Sequence, residues 1–294
     1  MSAALEFCGV DIVYGGPSGR RSREALQQAL RALDAGRSRT EIREQTGFIV
    51  GVANANLAIE QGEIYVLMGL SGSGKSTLLR AANGITPVAR GKVLVSDGSA
   101  GVIDVAACDA HVLRGVRRRR IAMVFQQFAL LPWRTVRENV GLGLELRGEP
   151  ARTRRRIVDQ QLELVGLTEW ASRHVSELSG GMQQRVGLAR ALATNADILL
   201  MDEPFSALDP LIRRKLQDEL LALQAQVKKT ILFVSHDLDE ALKLGDRISI
   251  LEGGRIVQTG TGPQIVQHPA DDYVAEFVRH VNPHTVMKPG RIER

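Results

Sequence analysis

A loop rich in glycine and serine constrains this chain more than any other feature of its sequence. The loop reads GLSGSGKST over residues 69–77; a β-branched and aromatic run before it (63–68) predicts a strand, and a helix is predicted over 74–82. Glycines let successive backbone N–H groups converge on an anion, and the helix N-terminus adds partial positive charge. In this Walker A pattern, Lys75 reaches the β- and γ-phosphates and the Ser76 hydroxyl binds Mg²⁺. We therefore predict a nucleotide site rather than a chance glycine-rich turn, with the ligands Gly69, Ser71, Gly72, Ser73, Gly74, Lys75, Ser76 and Thr77.

Length and composition exclude several classes of protein. The 294 residues can bury a substantial core, and the hydrophobic (44%) and charged (24%) fractions are those of a globular protein. The net charge is only +5 and aromatic residues make up 4%, which argues against nucleic acid as a partner. Cys8 and Cys108 are too few for a disulfide framework, and no run approaches the roughly 20 apolar residues of a membrane-spanning helix. Because no secretory signal is recognisable either, we expect a cytoplasmic protein that reaches a membrane only through a partner.

An apolar run that ends in two carboxylates, ILLMDE over residues 198–203, is the second informative feature. A buried strand beside the phosphate loop would deliver Asp202 to the Mg²⁺ shell. Glu203 follows by one residue and is predicted to act as the general base on the attacking water. The alternative is a strand that simply ends in a solvated acidic turn.

The segment LSGGMQQR, residues 178–185, predicts a second phosphate site at a helix N-terminus. Ser179 is the expected cap, and Gly180 and Gly181 expose backbone N–H groups. The segment resembles the signature motif of ATP-binding cassette (ABC) ATPases. In that family two subunits pair head to tail, and each signature motif binds the γ-phosphate of the ATP held by the other Walker A loop. Met182 stands where the common family form has Gln, which affects a side-chain contact and leaves the backbone contacts intact.

Four further residues match elements of the ABC family. By this resemblance Gln126, in MVFQQ, belongs to the glutamine loop that contacts Mg²⁺ and the attacking water. Asp209, in SALD, belongs to the dimer-contacting D-loop, and His236, after ILFVS, is the switch histidine that touches the γ-phosphate. Tyr14 follows the first predicted strand and is the candidate for stacking on adenine; the alternative is a packed tyrosine.

Strands alternating with helices predict an α/β layered fold. Apolar spacing predicts a helix over 22–34, and Ser38 with Glu41 forms a capping-box pattern that opens a second, so that 22–46 is a helical insertion. The resemblance implies a RecA-like P-loop NTPase core with an antiparallel β subdomain and a helical subdomain (127–185). We expect one ABC ATPase domain over 1–281 and a C-terminal tail over 282–294. The arginine runs 117–120 and 152–156 are expected to be solvated faces, or alternatively a docking surface.

A narrower resemblance connects the chain with the ATPases of quaternary-amine importers. It is carried by the helical insertion ending in EQTG and by MGLSGSGKSTLLRAANG, VFQQFALLPWRTVRENV, MDEPFSALDPLIRRKLQDEL and VSHDLDEALKLGDRI. This group takes up glycine betaine, choline, proline betaine and carnitine, and FALLPWRTV and VIDVAACDA look most like the choline importer.

The resemblance implies ATP and Mg²⁺ as ligands, a homodimer at the cytoplasmic face of the membrane, permease subunits and, indirectly, a substrate-binding protein. The alternatives are another quaternary amine, an importer for amino acids, nitrate or sulfonates, and a soluble ABC ATPase. A monomeric P-loop kinase or GTPase would leave the signature motif and His236 unexplained.

Overall fold

The structure is a computed structural model that describes residues 3–17, 21–98, 101–126, 129–206 and 208–279. The expected C-terminal tail lies outside these residues. In chain order the strands and helices are β1 (Ala3–Gly15), α1 (Arg21–Asp34), α2 (Arg39–Thr46), β2 (Phe48–Glu60), β3 (Ile64–Met68), α3 (Lys75–Ala81), β4 (Arg90–Ser96), β5 (Val102–Asp104), α4 (Ala110–Arg119), β6 (Ile121–Val124), α5 (Val136–Leu146), α6 (Ala151–Leu164), α7 (Gly180–Ala193), β7 (Ile198–Asp202), α8 (Pro210–Val227), β8 (Thr230–Ser235), α9 (Leu238–Leu244), β9 (Arg247–Glu252), β10 (Arg255–Gly260), α10 (Gly262–Gln267) and α11 (Asp272–Val278).

The chain divides into two compact units, which are described separately. The first comprises the described residues of Met1–Glu60, Val66–Cys108 and His236–Arg294, and the second those of Gln61–Tyr65 and Asp109–Ser235. In the first unit, β2, β1, β4 and β5 form an antiparallel sheet in that order, which is the predicted β subdomain. Strands β9 and β10 form an antiparallel hairpin in the same unit.

The helical insertion forms as its sequence predicts. The Ser38 side chain accepts a hydrogen bond from the Glu41 backbone, the Glu41 carboxylate caps the Ser38 N–H, and Gly47 ends α2 in the left-handed conformation. The apolar faces of both helices pack on β2, in a core made of Ala29, Leu33, Ile42, Phe48, Val50 and Ala53. The insertion is therefore built onto the β subdomain through a core of its own.

Arg90 on β4 ties this insertion to the sheet. Its guanidinium donates two hydrogen bonds to Asp34, the last residue of α1, at 2.6 and 2.8 Å. Its Nε donates to Asp11 on β1 at 2.6 Å, and Asp11 is fully buried. The hydrogen bond to Asp34 contributes most to raising the pKa of Arg90, and the bond to Asp11 contributes next. The guanidinium therefore stays charged.

We expect Arg90→Met to lower the free energy of unfolding by about 2 kcal/mol, because the Asp11 carboxylate would stay buried without its cation. Urea denaturation of the nucleotide-free protein measures the change. The matched control is Arg37→Met, which breaks only the exposed pair with Glu41 and is expected to cost at most about 0.5 kcal/mol. Equal losses in the two variants would contradict the role assigned to Arg90.

The second unit contains a parallel ladder of β6, β7 and β8. The register pairs Ile121 with Ile198 and Asp202 with Val234, so β7 is the middle strand of the three. Helices α5, α6 and α7 pack around a separate apolar cluster that includes Val140, Leu162 and Val186. These helices fall mostly within the predicted helical subdomain (127–185), although residues 127–128 lie outside the described chain. The domain boundaries stay a prediction.

Most boundaries agree with the sequence prediction, but the first strand is longer than predicted. It includes Tyr14, which was predicted to follow it, and continues to Gly15, because register shifts between Phe7 and Val13 let β1 keep pairing with β2. In the arginine run 117–120, Arg117, Arg118 and Arg119 are exposed, whereas Arg120 is half-buried and pairs with Asp197 at 2.8 Å. None of the described helices combines the length and apolar character needed to cross a membrane.

Candidate nucleotide site

The Walker A loop connects β3 to α3 in a conformation that only glycine accommodates at two positions. Gly69 has φ +148°, and a Cβ there would lie 2.2 Å from the backbone oxygen of Leu251. Gly74 has φ +104°, and its Cβ would lie 2.5 Å from the backbone oxygen of Gly51. Positive φ and close backbone approach both require the absence of a side chain. The loop is therefore seated against neighbouring backbone, as a phosphate cradle must be.

Lys75 is buried at the start of α3. Its Nζ donates to the backbone oxygens of Gly69 at 2.8 Å and Leu70 at 2.9 Å. Gly74 precedes it as the N-cap and supplies no side-chain hydrogen bond. Gly74 has no side chain with which to cap α3, and the Lys75 ammonium lies across the loop that precedes the helix.

The turn of the β9–β10 hairpin fastens the loop to β2. The N–H of Gly254 donates to the Ser73 oxygen at 3.0 Å, and the Gly254 oxygen accepts from the N–H of Ala53 at 2.8 Å. Gly253 and Gly254 both have positive φ, as in the two-residue turns that close antiparallel hairpins. Nothing in the spacing of the sequence indicated this contact.

Tyr14 lies near the end of β1 and points at the first turn of α3. Its hydroxyl donates to the Thr77 hydroxyl at 3.1 Å, and its ring lies against the backbone of Gly51. The prediction that Tyr14 follows the first strand is wrong, because β1 extends past it. Tyr14 is 37% exposed, and its role in stacking on adenine stays a prediction.

Arg39, the first residue of α2, is a feature of this region that the sequence analysis missed. Its guanidinium donates to the backbone oxygens of Val50 and Gly51 and, at 3.5 Å, to that of Gly72 in the Walker A loop. Burial lowers the pKa of Arg39. The helical insertion thus places a cation at the edge of the phosphate loop.

In the second unit, Glu203 occupies an unusual backbone conformation directly after β7. Its φ is +49°, a region that non-glycine residues rarely adopt and that is often found at functional sites. The backbone N–H donates to the Val234 oxygen at 3.2 Å. The Gln126 side chain donates to the Glu203 carboxylate at 3.3 Å. Gln126 and Glu203, predicted independently, are therefore in contact.

The signature segment begins α7 as predicted. Ser179 is the N-cap, and its hydroxyl accepts from the N–H of Met182 at 3.4 Å. The Met182 side chain packs against the apolar cluster of α5–α7, which accounts for an apolar residue at this position. From the same helix, Gln184 donates to the backbone oxygen of Glu203 at 3.5 Å, so α7 contacts the residue after β7 directly.

The remaining predicted residues occupy defined places. Asp202 is fully buried at the end of β7, and the exposed His236 follows β8. Asp209 caps α8 through its carboxylate, which accepts from Leu211 and Ile212, while Ala207 of the same segment lies outside the described residues. No group of three or more His, Cys, Asp or Glu within the described ranges could hold a metal.

Comparison with known proteins agrees with this arrangement. The family described as ABC transporter matches residues 52–206, more than half of the chain. The chain belongs to the ABC transporter family. A dimeric structure of the ATP-binding cassette MJ0796 bound to ADP and Pi is 31% identical with a TM-score of 0.72, covering 88% of this chain and 98% of that one. The predicted α/β P-loop cassette fold is thereby confirmed.

Among curated proteins, this cassette is 53% identical to the glycine betaine/proline betaine transport system ATP-binding protein ProV of Salmonella typhimurium, over 92% of the chain and 66% of that protein. It is 47% identical to the trimethylamine N-oxide transport system ATP-binding protein TmoW of Ruegeria pomeroyi, over 90% and 76%. The resemblance to the quaternary-amine group is confirmed at this level. The chain spans just under two thirds of the length of the glycine betaine relatives that it matches, 62–66%.

Proposed function

We propose that this chain is the ATP-hydrolysing subunit of an importer for quaternary amines. The observation that carries the proposal is the glycine loop before α3, with the buried Lys75 side chain bonded across it to Gly69 and Leu70. Gly69, Ser71, Gly72, Ser73 and Gly74 would wrap the phosphates with backbone N–H groups, and Lys75 would neutralise their charge. Thr77 and Tyr14 would close the site at the adenine end.

Hydrolysis needs a group that accepts a proton from the attacking water. We assign this role to Glu203, whose positive φ turns its backbone away from the strand direction and whose carboxylate is held by Gln126. His236, placed by the chain directly after β8, would contact the γ-phosphate. These groups hold and move protons, whereas the Walker A loop holds the substrate in place.

Mg²⁺ fits the donors present, which are hard oxygen ligands that prefer this ion. Ser76, Gln126 and Asp202 are the proposed protein ligands. The bound ion would neutralise charge that develops on the phosphate oxygens during transfer.

Two copies of the chain would form the working unit. Ser179, Gly180 and Gly181 at the N-terminus of α7 would form a second phosphate site. One subunit does not need it for the ATP that its own Walker A loop binds. A head-to-tail homodimer supplies the use, with Asp209 at the contact. The dimeric MJ0796 cassette supports this arrangement. The dimer would sit as a peripheral assembly on the cytoplasmic face of a membrane, bound to permease subunits and served by a substrate-binding protein.

The named relatives favour glycine betaine or proline betaine as the transported compound. The choline prediction rests on the resemblance of the segments FALLPWRTV and VIDVAACDA to the choline importer. None of these residues would contact the transported substrate. It stays a prediction, and glycine betaine is the better-supported substrate.

Uptake of labelled glycine betaine tests the proposal, in cells that lack only this chain and are complemented with its variants. We expect wild type to restore uptake and Lys75→Ala to leave it at background, because the phosphates lose their main cation. Lys92→Ala, which removes an exposed lysine from β4, is the matched control and should restore uptake.

The competitor distinguishes the substrates. Unlabelled proline betaine should compete well and choline poorly. Strong competition by choline would instead favour the choline prediction. Uptake that is independent of the chain would overturn the importer assignment.

A further inference from the structure

Helix α11 contacts the phosphate loop from outside the segment that the ABC family model matches. Asp271 caps the helix, and Val274 within it is fully buried. The ring of Tyr273 packs edge-on against Phe277, with centroids 5.1 Å apart and planes at 81°. The position of the Tyr273 ring is therefore set by the packing of α11.

The Tyr273 hydroxyl makes two hydrogen bonds, one to strand β9 and one to the Walker A loop. It donates to the backbone oxygen of Leu251 at the end of β9, at 3.1 Å. It accepts from the backbone N–H of Leu70 at 3.3 Å. Burial raises the pKa of Tyr273, so the hydroxyl keeps the proton that the first bond requires.

Leu70 is thus held on both sides of its backbone. Its N–H bonds Tyr273, and its oxygen accepts from Lys75 Nζ at 2.9 Å and from the Ser73 N–H at 3.2 Å. The Leu251 oxygen that binds Tyr273 is also the atom that leaves no room for a side chain at Gly69. The hydroxyl therefore joins α11, β9 and the entrance of the phosphate loop.

We propose that Tyr273 is a positioning residue that couples the docking of α11 to nucleotide binding by the Walker A loop. The proposal rests on the proposed function in taking the loop's ligand to be ATP. Because Tyr273 holds Leu70 in place, the loop already has its binding conformation. Binding the phosphates then loses less conformational entropy. Coupling of this kind is reciprocal: bound nucleotide stabilises the docked helix, and undocking of α11 weakens nucleotide binding.

The test is Tyr273→Phe in the full chain, which removes the hydroxyl and keeps the ring contact with Phe277. We expect the Kd for the fluorescent analogue MANT-ATP to rise by about fivefold, since of the two hydrogen bonds lost only the one to Leu70 acts directly on the loop. The KM for ATP should rise in parallel while kcat changes little. Hydrogen exchange at the Leu70 amide should accelerate in the nucleotide-free protein, and nucleotide should no longer slow exchange across α11.

The matched control is Thr259→Val, which removes one hydroxyl hydrogen bond, to Ser249 at 2.6 Å, from the same hairpin. It should leave the MANT-ATP Kd and the Leu70 exchange rate unchanged. If both variants change the MANT-ATP Kd and the Leu70 exchange rate equally, the cause is a general loss of rigidity in this unit, and the proposal is overturned. A Tyr273→Phe variant that behaves as wild type would also overturn it. If wild type itself binds no MANT-ATP, the proposed function fails. Leu70 exchange in the two variants then still decides whether Tyr273 positions the loop, and an unchanged rate in Tyr273→Phe overturns that role.

Discussion

Glu203→Gln is expected to reduce ATP turnover by about 10²- to 10⁴-fold, the range in which general base catalysis contributes. The amide keeps the size of the side chain and can still accept a hydrogen bond from Gln126, but it cannot take the proton of the attacking water. Nucleotide binding should survive, because Glu203 lies outside the Walker A loop. Phosphate release measures turnover, and MANT-ATP fluorescence measures binding in the same preparation.

The same variant is expected to accumulate an ATP-bound dimer, since hydrolysis is the step that would reopen it. Light scattering with and without ATP detects the change in mass. Glu169→Gln removes an exposed carboxylate elsewhere in the second unit and serves as the matched control, with wild-type turnover expected. Rapid turnover by Glu203→Gln without an ATP-dependent dimer would argue against Glu203 as the base.

Gly74→Ala is expected to lower the free energy of unfolding by about 2–4 kcal/mol and to weaken MANT-ATP binding by at least about tenfold. The new Cβ would lie 2.5 Å from the Gly51 oxygen. No side-chain rotation can relieve this clash, because the Gly51 oxygen belongs to the backbone. The loop would have to move, and its converging N–H groups would move with it. Thermal denaturation and MANT-ATP titration measure the two effects.

Gly36→Ala separates the clash from the backbone conformation. Gly36 also has a positive φ, +74°, but a Cβ there would have no atom within 4 Å. Gly36→Ala should lower the free energy of unfolding by only about 1 kcal/mol, because alanine is disfavoured in the left-handed conformation. It should leave nucleotide binding unchanged. Similar losses in both variants would show that the close approach of Gly51 to the loop is unimportant.

Local patterns in the sequence were sufficient for most elements and for the nature of the phosphate loop. The Ser38–Glu41 capping box, the apolar runs of β7 and β8 and the glycine spacing of 69–74 each depend on interactions within a few residues. Such interactions are readable without knowledge of the fold, because hydrogen bonds and backbone preferences between near neighbours are encoded in residue order. The position of Tyr14 after the first strand was predicted wrongly, because pairing with the distant strand β2 continues β1 to Gly15.

What residue order determined about this protein is therefore the family, the Walker A loop and the side chains offered for chemistry. Only the tertiary structure decided what holds that loop in place: Arg39 from the insertion, Gly254 from a hairpin turn and Tyr273 from the last described helix. These groups are 33, 181 and 203 positions in the chain from their partners Gly72, Ser73 and Leu70. They contact backbone atoms, which every residue carries alike. A pattern of side chains in the sequence therefore cannot predict such contacts. They form only when packing brings these distant segments together.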